Sequence, residues 1–152
     1  MIAAVRATSD DAIARNAGAH HVVHVGPDLV QRVRALAPNG VNHIVEVAFG
    51  ANIATDLELL AVHGSIATYA TDVDQLRIPF WPLLFKNIRV DFLGSDDFIA
   101  ADKAEAARAI NEALGAGWIG MPIAARFPLE EIATAHEALE ASRQRGRVIV
   151  TL

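Results

Sequence analysis

VNHIVEVAFGANIATDLELLAVHGSIATYA, residues 41–70, contains two strand patterns on either side of one helix pattern. Its first part, 41–49, is a near-continuous apolar run, which is typical of a buried parallel strand. The next part, 52–61, repeats apolar residues at helical spacing, and 65–70 is again a short apolar strand pattern. A strand, a helix and a strand in this order predict a parallel βαβ unit.

The same alternation continues on both sides of this unit. The predicted strands are 2–7, 21–25, 41–49, 65–70, 88–95 and 147–152. Helices are predicted over 9–18, 27–37, 52–61 and 98–115, and from Pro128 to a cap at Gly146, with a short extended piece at 121–127. This pattern predicts an α/β fold in which helices cover both faces of a parallel sheet.

Composition excludes several classes of protein. The chain has 152 residues, of which 53% are hydrophobic, so it is long enough to form one domain with a hydrophobic core. The net charge of −5 and the lack of a basic block argue against nucleic-acid binding. Without cysteine there is no disulfide scaffold, thiolate zinc site or cysteine nucleophile. No apolar run has membrane-spanning length and no signal peptide is recognisable, so we expect a cytoplasmic protein without membrane contact.

GAGWIG, residues 115–120, matches the G-x-G-x-x-G spacing of a dinucleotide phosphate turn. A working turn follows a strand and opens a helix, so that the helix N-terminus faces the pyrophosphate. This match instead follows the predicted helix 98–115 and leads into residues 121–122, Met-Pro. Trp118 and Ile119 are also bulky for such a turn. We interpret the segment as a helix end followed by a loop, which leaves the chain without a phosphate turn.

Three segments together resemble the medium-chain dehydrogenase/reductase family. ARNAGAHHVVHV (14–25) resembles a strand-entry corner of that family, and 41–70 resembles its fourth and fifth Rossmann strands with the helix between them. ARFPLEEIATAHEALEASRQRGRVIVTL (125–152) resembles its C-terminal signature. The branch most similar to this chain is the zeta-crystallin-like quinone oxidoreductases, which use NADPH and lack zinc.

The resemblance implies a partial dinucleotide-binding domain over residues 1–152: a Rossmann-like, doubly wound parallel sheet that lacks its first strand and its glycine-rich turn. In the strand order 3-2-1-4-5-6, the first strand separates the second from the fourth. Without it, two strands have open edges, which proteins generally avoid. We therefore expect that something fills this place or that the sheet closes up. The chain is interpreted as a fragment, a truncated gene product, or the partner of a separate chain that carries the catalytic domain.

The end of the first predicted strand bears on cofactor choice. Rossmann folds that prefer NAD have an acid there, whereas this chain has Arg6. Arg6 could pair with a 2′-phosphate, and Thr8 and Ser9 could add hydroxyl donors, so NADP is favoured over NAD. The alternative is a solvated arginine at a strand end. Asp10 and Asp11 are interpreted as first-turn acids of the following helix.

The resemblance implies cofactor contacts at three further places, which comprise Asn52, Tyr69, Ala70, Thr71, Leu93, Gly94 and Ser95. Gly94 suits a place where the backbone closely approaches a ligand. Asn52 has the alternative of capping the helix that follows it. Tyr69 has the alternative of a strand-end aromatic residue. The resemblance implies no catalytic residue in this part of the family's chain.

The histidines do not predict a metal site. His20 and His24 would lie about 13 Å apart along one strand face, too far for one zinc ion. Together with His21 they are interpreted as surface residues. His136 lies on the apolar stripe of the last predicted helix and is interpreted as a core histidine. For Glu46 two alternatives stay open, a position facing the cofactor or a paired carboxylate.

Two functions from different classes follow. The first is the cofactor-binding portion of an NADP(H)-dependent quinone or enone reductase, whose isolated chain should be inactive and bind NADP weakly or not at all. The alternative is a non-catalytic, truncated Rossmann module that acts as a subunit or binding partner. In either case we expect a homodimer through 80–95, because five large apolar residues in 80–85 cannot all face one core.

Overall fold

In the computed structural model, which describes residues 1–141 and 146–152, the chain forms two compact units, Met1–Lys103 and Ala104–Leu152. None of the helices in these described residues is long and apolar enough to cross a membrane. The strands of the first unit are β1 (Ile2–Val5), β2 (His21–His24), β3 (Val41–Glu46), β4 (Leu60–Thr68) and β5 (Arg89–Phe92). Its helices are α1 (Asp11–Asn16), α2 (Leu29–Leu36), α3 (Phe49–Leu59) and α4 (Phe80–Phe85). A further helix, α5 (Ala100–Gly115), contains the boundary between the two units.

Every strand pair in the first unit is parallel, which confirms the predicted α/β class. β1 pairs with β2, and β4 lies between β3 and β5. The expected single sheet is not formed, because β1 and β3 share no ladder in the described part of the chain. These are the two strands that a first Rossmann strand would separate. The sheet has therefore not closed up, and among residues 1–141 and 146–152 each of the two strands keeps an unpaired edge.

The core of the first unit lies between α3 and the sheet β3–β4–β5. Phe49, Ile53 and Leu57 follow one another at intervals of four residues, so they share one face of α3 and are buried. They form a buried cluster with Leu60 and Ile66 of β4. Partly buried side chains from the strands and the α4 region surround this cluster, namely Val41, Ile44, Leu76, Leu83, Ile88 and Val90. Full burial of such a side chain typically contributes about 1.5–3 kcal/mol.

The boundaries around α3 differ from those predicted. β3 ends at Glu46 rather than at 49, and Phe49 is the first residue of α3 instead of the last residue of a strand. At its other end α3 passes directly into β4 at Leu60, five residues before the predicted strand start. The cause at the first boundary is Glu46, whose carboxylate accepts hydrogen bonds from the backbone N–H groups of Val47 and Ala48 and so turns the chain out of the strand.

The second unit contains a parallel pair, β6 (Ile123–Pro128) and β7 (Arg147–Thr151), with α6 (Ile132–Glu140) packed against both strands. The predicted extended piece 121–127 is thus a paired strand. A short 3-10 turn, Leu129–Glu131, precedes α6. α6 ends at Glu140, so a helix cap at Gly146 is wrong, and the intervening residues 142–145 lie outside the described residues.

The buried face of α6 differs from the one predicted. His136 is exposed and Ala135 is buried, so the interpretation of His136 as a core histidine is wrong. The stripe predicted for α6 is rotated by one position, because Ala135 is the residue that faces the strands.

The rejection of GAGWIG as a phosphate turn is confirmed. Gly115 ends α5, and the N–H of Trp118 donates back to the carbonyl of Ala113 at 2.9 Å, which closes a helix C-terminus.

Candidate functional site

A cavity of about 320 Å³ opens where β4 and β5 end. These strands are parallel neighbours, so their carboxyl ends lie at the same edge of the sheet. Such an edge is where open α/β sheets bind ligands. The lining residues come from the first residue of α3, the two strand ends and the loops that follow them, namely Phe49, Thr68, Tyr69, Ala70, Thr71, Leu76, Phe92, Leu93 and Gly94.

Hydrogen bonds and ring packing fix the loop around this cavity. The N–H of Phe49 donates to the carbonyl of Ala70 at 3.2 Å, and the N–H of Leu93 donates to the carbonyl of Thr68 at 2.8 Å. The Thr68 hydroxyl donates to the same Ala70 carbonyl at 3.2 Å. Phe49 is fully buried and packs edge-on against Phe92, with ring centroids 5.5 Å apart. The cavity therefore has an apolar wall and a backbone held in place by its neighbours.

The backbone conformation at Gly94 does not require a glycine. Its backbone is extended, with φ −107°, so a larger residue would be tolerated there. A Cβ atom added at Gly94 would meet no protein atom within 4 Å. Gly94 lines the cavity and carries no side chain, which suits the close approach of a ligand to the backbone.

Of the residues predicted to contact a cofactor, the structure brings five together in this cavity: Tyr69, Ala70, Thr71, Leu93 and Gly94. Ser95 comes next and begins the 3-10 turn Ser95–Asp97. Tyr69 directly follows β4 and is exposed, so it is a strand-end aromatic residue and a cavity residue at once.

Asn52 lies in a different setting. It is the fourth residue of α3, and its side-chain amide donates to both carboxylate oxygens of Glu46, at 3.1 and 3.2 Å. The alternative of Asn52 as a helix cap is wrong, because the helix starts three residues earlier. Glu46 is buried and hydrogen-bonded, so of its two open alternatives the paired carboxylate is the one observed.

Arg6, Thr8 and Ser9 lie beyond the end of β1 and are all exposed. β1 belongs to the two-stranded ladder with β2, whereas the cavity belongs to the ladder of β3, β4 and β5. The structure therefore does not join these three residues to the cavity through one continuous sheet. Asp11 is in the first turn of α1, as expected, and its carboxylate also pairs with His24 at 2.8 Å.

Sequence reasoning missed several cavity residues, namely Phe49, Thr68, Leu76 and Phe92. A signal for Phe49 was present, since Phe49, Ile53 and Leu57 continue the helical spacing four residues further back than predicted. Phe92 and Thr68 sit inside predicted strands, and strand periodicity does not reveal which strand end closes a cavity.

The histidines do not assemble a metal site. His20 and His21 are exposed and His24 is half-buried against Asp11. Throughout the described residues, no group of three or more His, Asp or Glu side chains is arranged to hold a metal ion. The residues present therefore do not fit zinc.

A second, wider groove of about 670 Å³ lies between α2, α3 and the α4 region. Its two cationic side chains already bind backbone carbonyls. Arg34 donates to Pro38 and Glu58, and Lys86 donates to Leu57 and Leu60. The groove does not lie at the carboxyl ends of strands, so the smaller cavity is the better candidate for a ligand site.

Comparison with known proteins gives the family. The family whose sequence model is described as zinc-binding dehydrogenase matches residues 17–150. The chain belongs to this family. The resemblance to the C-terminal portion of medium-chain dehydrogenases/reductases is thereby confirmed. A quinone oxidoreductase from Lama guanicoe is 24% identical over 138 residues, which cover 89% of this chain and 42% of that protein.

Solved structures of other proteins share the fold of this chain. A mycobacterial quinone oxidoreductase matches with a TM-score of 0.84 at 22% identity, covering 99% of this chain and 48% of that one. A mycobacterial protein complexed with NADPH matches with a TM-score of 0.79 at 22% identity and the same coverage. A quinone oxidoreductase from Pseudomonas syringae matches with a TM-score of 0.79 at 19% identity. The chain spans less than half the length of these relatives.

Proposed function

We propose that this chain is the cofactor-binding portion of a cytoplasmic, NADP(H)-dependent oxidoreductase of the quinone or enone reductase type. The observation that carries the proposal is the cavity at the carboxyl ends of β4 and β5, with Gly94 among its lining residues. A second support is the membership of the zinc-binding dehydrogenase family. A third is that similar chains include quinone oxidoreductases and a protein complexed with NADPH.

The cavity fits the nicotinamide end of such a cofactor. The backbone of Ala70, Leu93 and Gly94 would border the ring and its amide, and the apolar wall of Phe49 and Phe92 would exclude water. The nicotinamide, when bound, supplies the hydride, and the protein orients it. No side chain of this chain is assigned a catalytic role. Zinc has no part in the proposal, because the described residues do not fit it.

Cofactor choice is assigned to the end of β1. Arg6 would pair with the 2′-phosphate of NADPH, with Thr8 and Ser9 adding hydroxyl donors. All three side chains are exposed, so they are available to a ligand. The isolated chain should bind NADPH with a Kd near or above about 1 mM, because it lacks the phosphate turn that supplies much of the affinity.

Amide NMR of the ¹⁵N-labelled chain, titrated with NADPH, tests the site. We expect shifts at the amides of 68–71 and 93–95, and a smaller response to NADH. Gly94→Val should abolish these shifts, since it adds a branched side chain to a residue that lines the cavity, at a position where a Cβ atom meets no protein atom within 4 Å. Gly115→Ala is the matched control, because its added methyl group also meets nothing within 4 Å and lies outside the cavity.

Shifts that survive Gly94→Val, or that map away from the cavity, would overturn the site. A response to NADH equal to that of NADPH, unchanged by Arg6→Ala, would overturn the assignment of the 2′-phosphate. We also expect the purified 152-residue chain to oxidise NADPH with a quinone no faster than the blank without protein. Turnover above that blank would contradict the inactivity of the isolated chain.

A second candidate function is that of a non-catalytic subunit that pairs with a separate chain. The observation in its favour is the unpaired edges of β1 and β3. Co-expression with a polypeptide that carries a strand, a glycine-rich turn and a helix tests this function. A stable complex with at least tenfold tighter NADPH binding would favour the pairing role, and failure to co-purify would contradict it.

A further inference from the structure

Two carboxyl groups, those of Glu46 and Asp56, are buried in the first unit. Glu46 at the end of β3 is 7% exposed, and Asp56 on the inner face of α3 is 4% exposed. Neither group lines the cavity, and the proposed function uses neither. Buried acids are normally paired with a cation or kept neutral, so this pair requires a physical explanation.

No cation lies against this pair within the described residues. Arg32 is held by Asp28, and Arg34 and Lys86 donate to backbone carbonyls. His43 of β3 bonds to the hydroxyl of Ser65. The charged or titratable groups on the elements packed around Asp56 are Arg32, Arg34, His43, Glu46, Glu58, His63 and Lys86, together with Arg89 and Asp91 of β5, which pair with each other. Of these, Glu46 is the group that interacts electrostatically with Asp56.

Glu46 is held as a carboxylate by its donors. Its Oε1 accepts the N–H of Val47 at 2.7 Å and that of Ala48 at 2.5 Å, and the Asn52 amide donates to both oxygens. These donors lie at the start of α3, where the helix dipole favours a negative charge. The negative charge of the pair is therefore best placed on Glu46.

Asp56 lacks comparable donors. Its Oδ2 is buried without a hydrogen-bond partner. Burial raises the pKa of Asp56 from its ordinary 3.8 to about 7, and the negative charge of Glu46 adds to this effect. A neutral Asp56 is a donor, and Glu46 is the neighbouring acceptor. One proton shared within the pair removes both the like-charge repulsion and the unpaired buried charge.

The turn held by Glu46 leads directly to the cavity. Phe49 follows three residues later, lines the cavity and donates its N–H to the Ala70 carbonyl. The N–H of Gly50 donates to the Thr71 hydroxyl at 3.3 Å. A change in the position of Glu46 would therefore reach the cavity loop through Val47 and Ala48 and through these two hydrogen bonds.

We propose that Asp56 is a positioning residue, which carries a proton shared with Glu46 and thereby holds the turn at Val47 and Ala48 against the candidate cofactor cavity. The role of the cavity is taken from the proposed function. Loss of this proton leaves two buried negative charges and loosens the turn. The cofactor site thus contains a device that responds to pH near neutrality.

The direction of the pH effect follows from the raised pKa of Asp56. The folded state holds the proton up to about pH 7, whereas the unfolded chain releases it near 3.8. The contribution to stability is full below 3.8, declines as pH rises and is lost above about 7. In Asp56→Asn the side chain is neutral at every pH. The unfolding constant of the wild type divided by that of Asp56→Asn should rise up to about tenfold per pH unit across this window and then level off.

NMR titration of the wild-type chain from pH 4 to 9 tests the proposal without any cofactor. The carboxyl carbon of Asp56 should titrate near pH 7, and the amides of Val47, Ala48 and Phe49 should shift with the same midpoint. Asp56→Asn should remove that midpoint from the three amides, whereas the exposed-acid control Asp102→Asn should leave it unchanged. Asp56 titrating near its ordinary 3.8, or the three amides not following it, would overturn the proposal.

The pH titration of the wild type tests the proposal even if Asp56→Asn does not fold.

A second experiment repeats the NADPH titration at pH 6 and pH 8.5. Shifts at 68–71 that weaken at the higher pH in the wild type but not in Asp56→Asn support the proposal. Shifts equally strong at both pH values in the wild type contradict it while leaving the proposed function intact. An absence of NADPH shifts together with the pH 7 midpoint would contradict the proposed function and leave the proton-sharing pair intact.

Discussion

Lys86 shows how one side chain stabilises an element end. Its ammonium group donates to the carbonyls of Leu57 and Leu60, the latter at 3.0 Å. These carbonyls lie at the C-terminal end of α3, where orphan acceptors and the helix dipole both favour a cation. Lys86 is half-buried, so this interaction is less screened by solvent than one on the open surface.

Replacing Lys86 by Met should therefore destabilise the chain. Lys86→Met keeps the apolar stem but removes the charge and two hydrogen bonds, and we expect the free energy of unfolding to fall by about 1–2 kcal/mol. Urea denaturation measures this. The control is Lys103→Met, whose ammonium binds the Asp96 carbonyl at an exposed position and should cost less than about 0.5 kcal/mol. Equal losses in the two variants would contradict the capping role of Lys86.

Gly40 lies in the turn that connects α2 to β3 and allows this turn to approach β4 closely. Its φ is +90°, and an added Cβ would lie 2.5 Å from the Ala61 nitrogen and 2.7 Å from the Leu60 carbonyl carbon. Both contacts are with the backbone of β4, which cannot move as a flexible side chain would. Gly40→Ala should lower the free energy of unfolding by about 2–5 kcal/mol, from backbone strain and overpacking together.

Thermal unfolding followed by circular dichroism measures this loss. Gly115→Ala is the control, because its methyl group meets no atom within 4 Å and it ends a helix without a positive φ. It should be neutral or stabilising by up to about 1 kcal/mol. A Gly40→Ala protein as stable as Gly115→Ala would show that the close approach of Gly40 to β4 does not constrain the fold.

The parallel alternation of elements could be predicted from the sequence, but several boundaries could not. Phe49 fits an apolar strand and an amphipathic helix equally well, and the choice depends on Glu46 binding the next two amides, which periodicity does not show. His136 is predicted on the buried face of α6 but is exposed, because apolar residues at helical spacing are compatible with either of two adjacent faces of this short helix.

Five of the cavity residues could be predicted from the sequence. The family resemblance implies cofactor contacts at Tyr69, Ala70 and Thr71 and at Leu93 and Gly94, and the structure brings these five residues into one cavity. The Glu46–Asp56 pair was not predicted, because an acid at position 56 has ordinary helix spacing. Its burial depends on tertiary packing that the sequence pattern does not show.

At the scale of the whole chain, unpaired surface is the main unexplained feature. Val45 is the second-last residue of β3 and is 66% exposed, which is unusual for a strand of a parallel sheet. Within the residues that the structure describes, β3 has a neighbouring strand on one side only. The outer edge of β5 is also unpaired in the described part of the chain. Open edges of this kind favour association with another polypeptide.

α4 adds an apolar surface next to β5. Phe80 packs edge-on against Trp81, and Trp81 stacks on Phe85 with ring centroids 5.9 Å apart. Leu83 turns inward to the core, whereas Trp81 and Phe85 are 63% and 73% exposed. The expectation that the five apolar residues cannot share one core is thus confirmed. We propose that this aromatic surface and the β5 edge, within 80–95, form the interface of a homodimer.

The double change Trp81→Asp plus Phe85→Asp should dissociate this homodimer, because two charges would have to be buried against apolar rings. Light scattering of the wild type should give the mass of two chains at micromolar concentration, and the double variant should give the mass of one. The matched control is Ile99→Asp plus Ile119→Asp, which places the same charges on two other exposed apolar residues and should leave the dimer intact. A wild type that is monomeric at micromolar concentration would rule out the homodimer. A dimer broken by the control pair but not by the aromatic pair would place the interface outside 80–95, and the aromatic surface would then need another explanation.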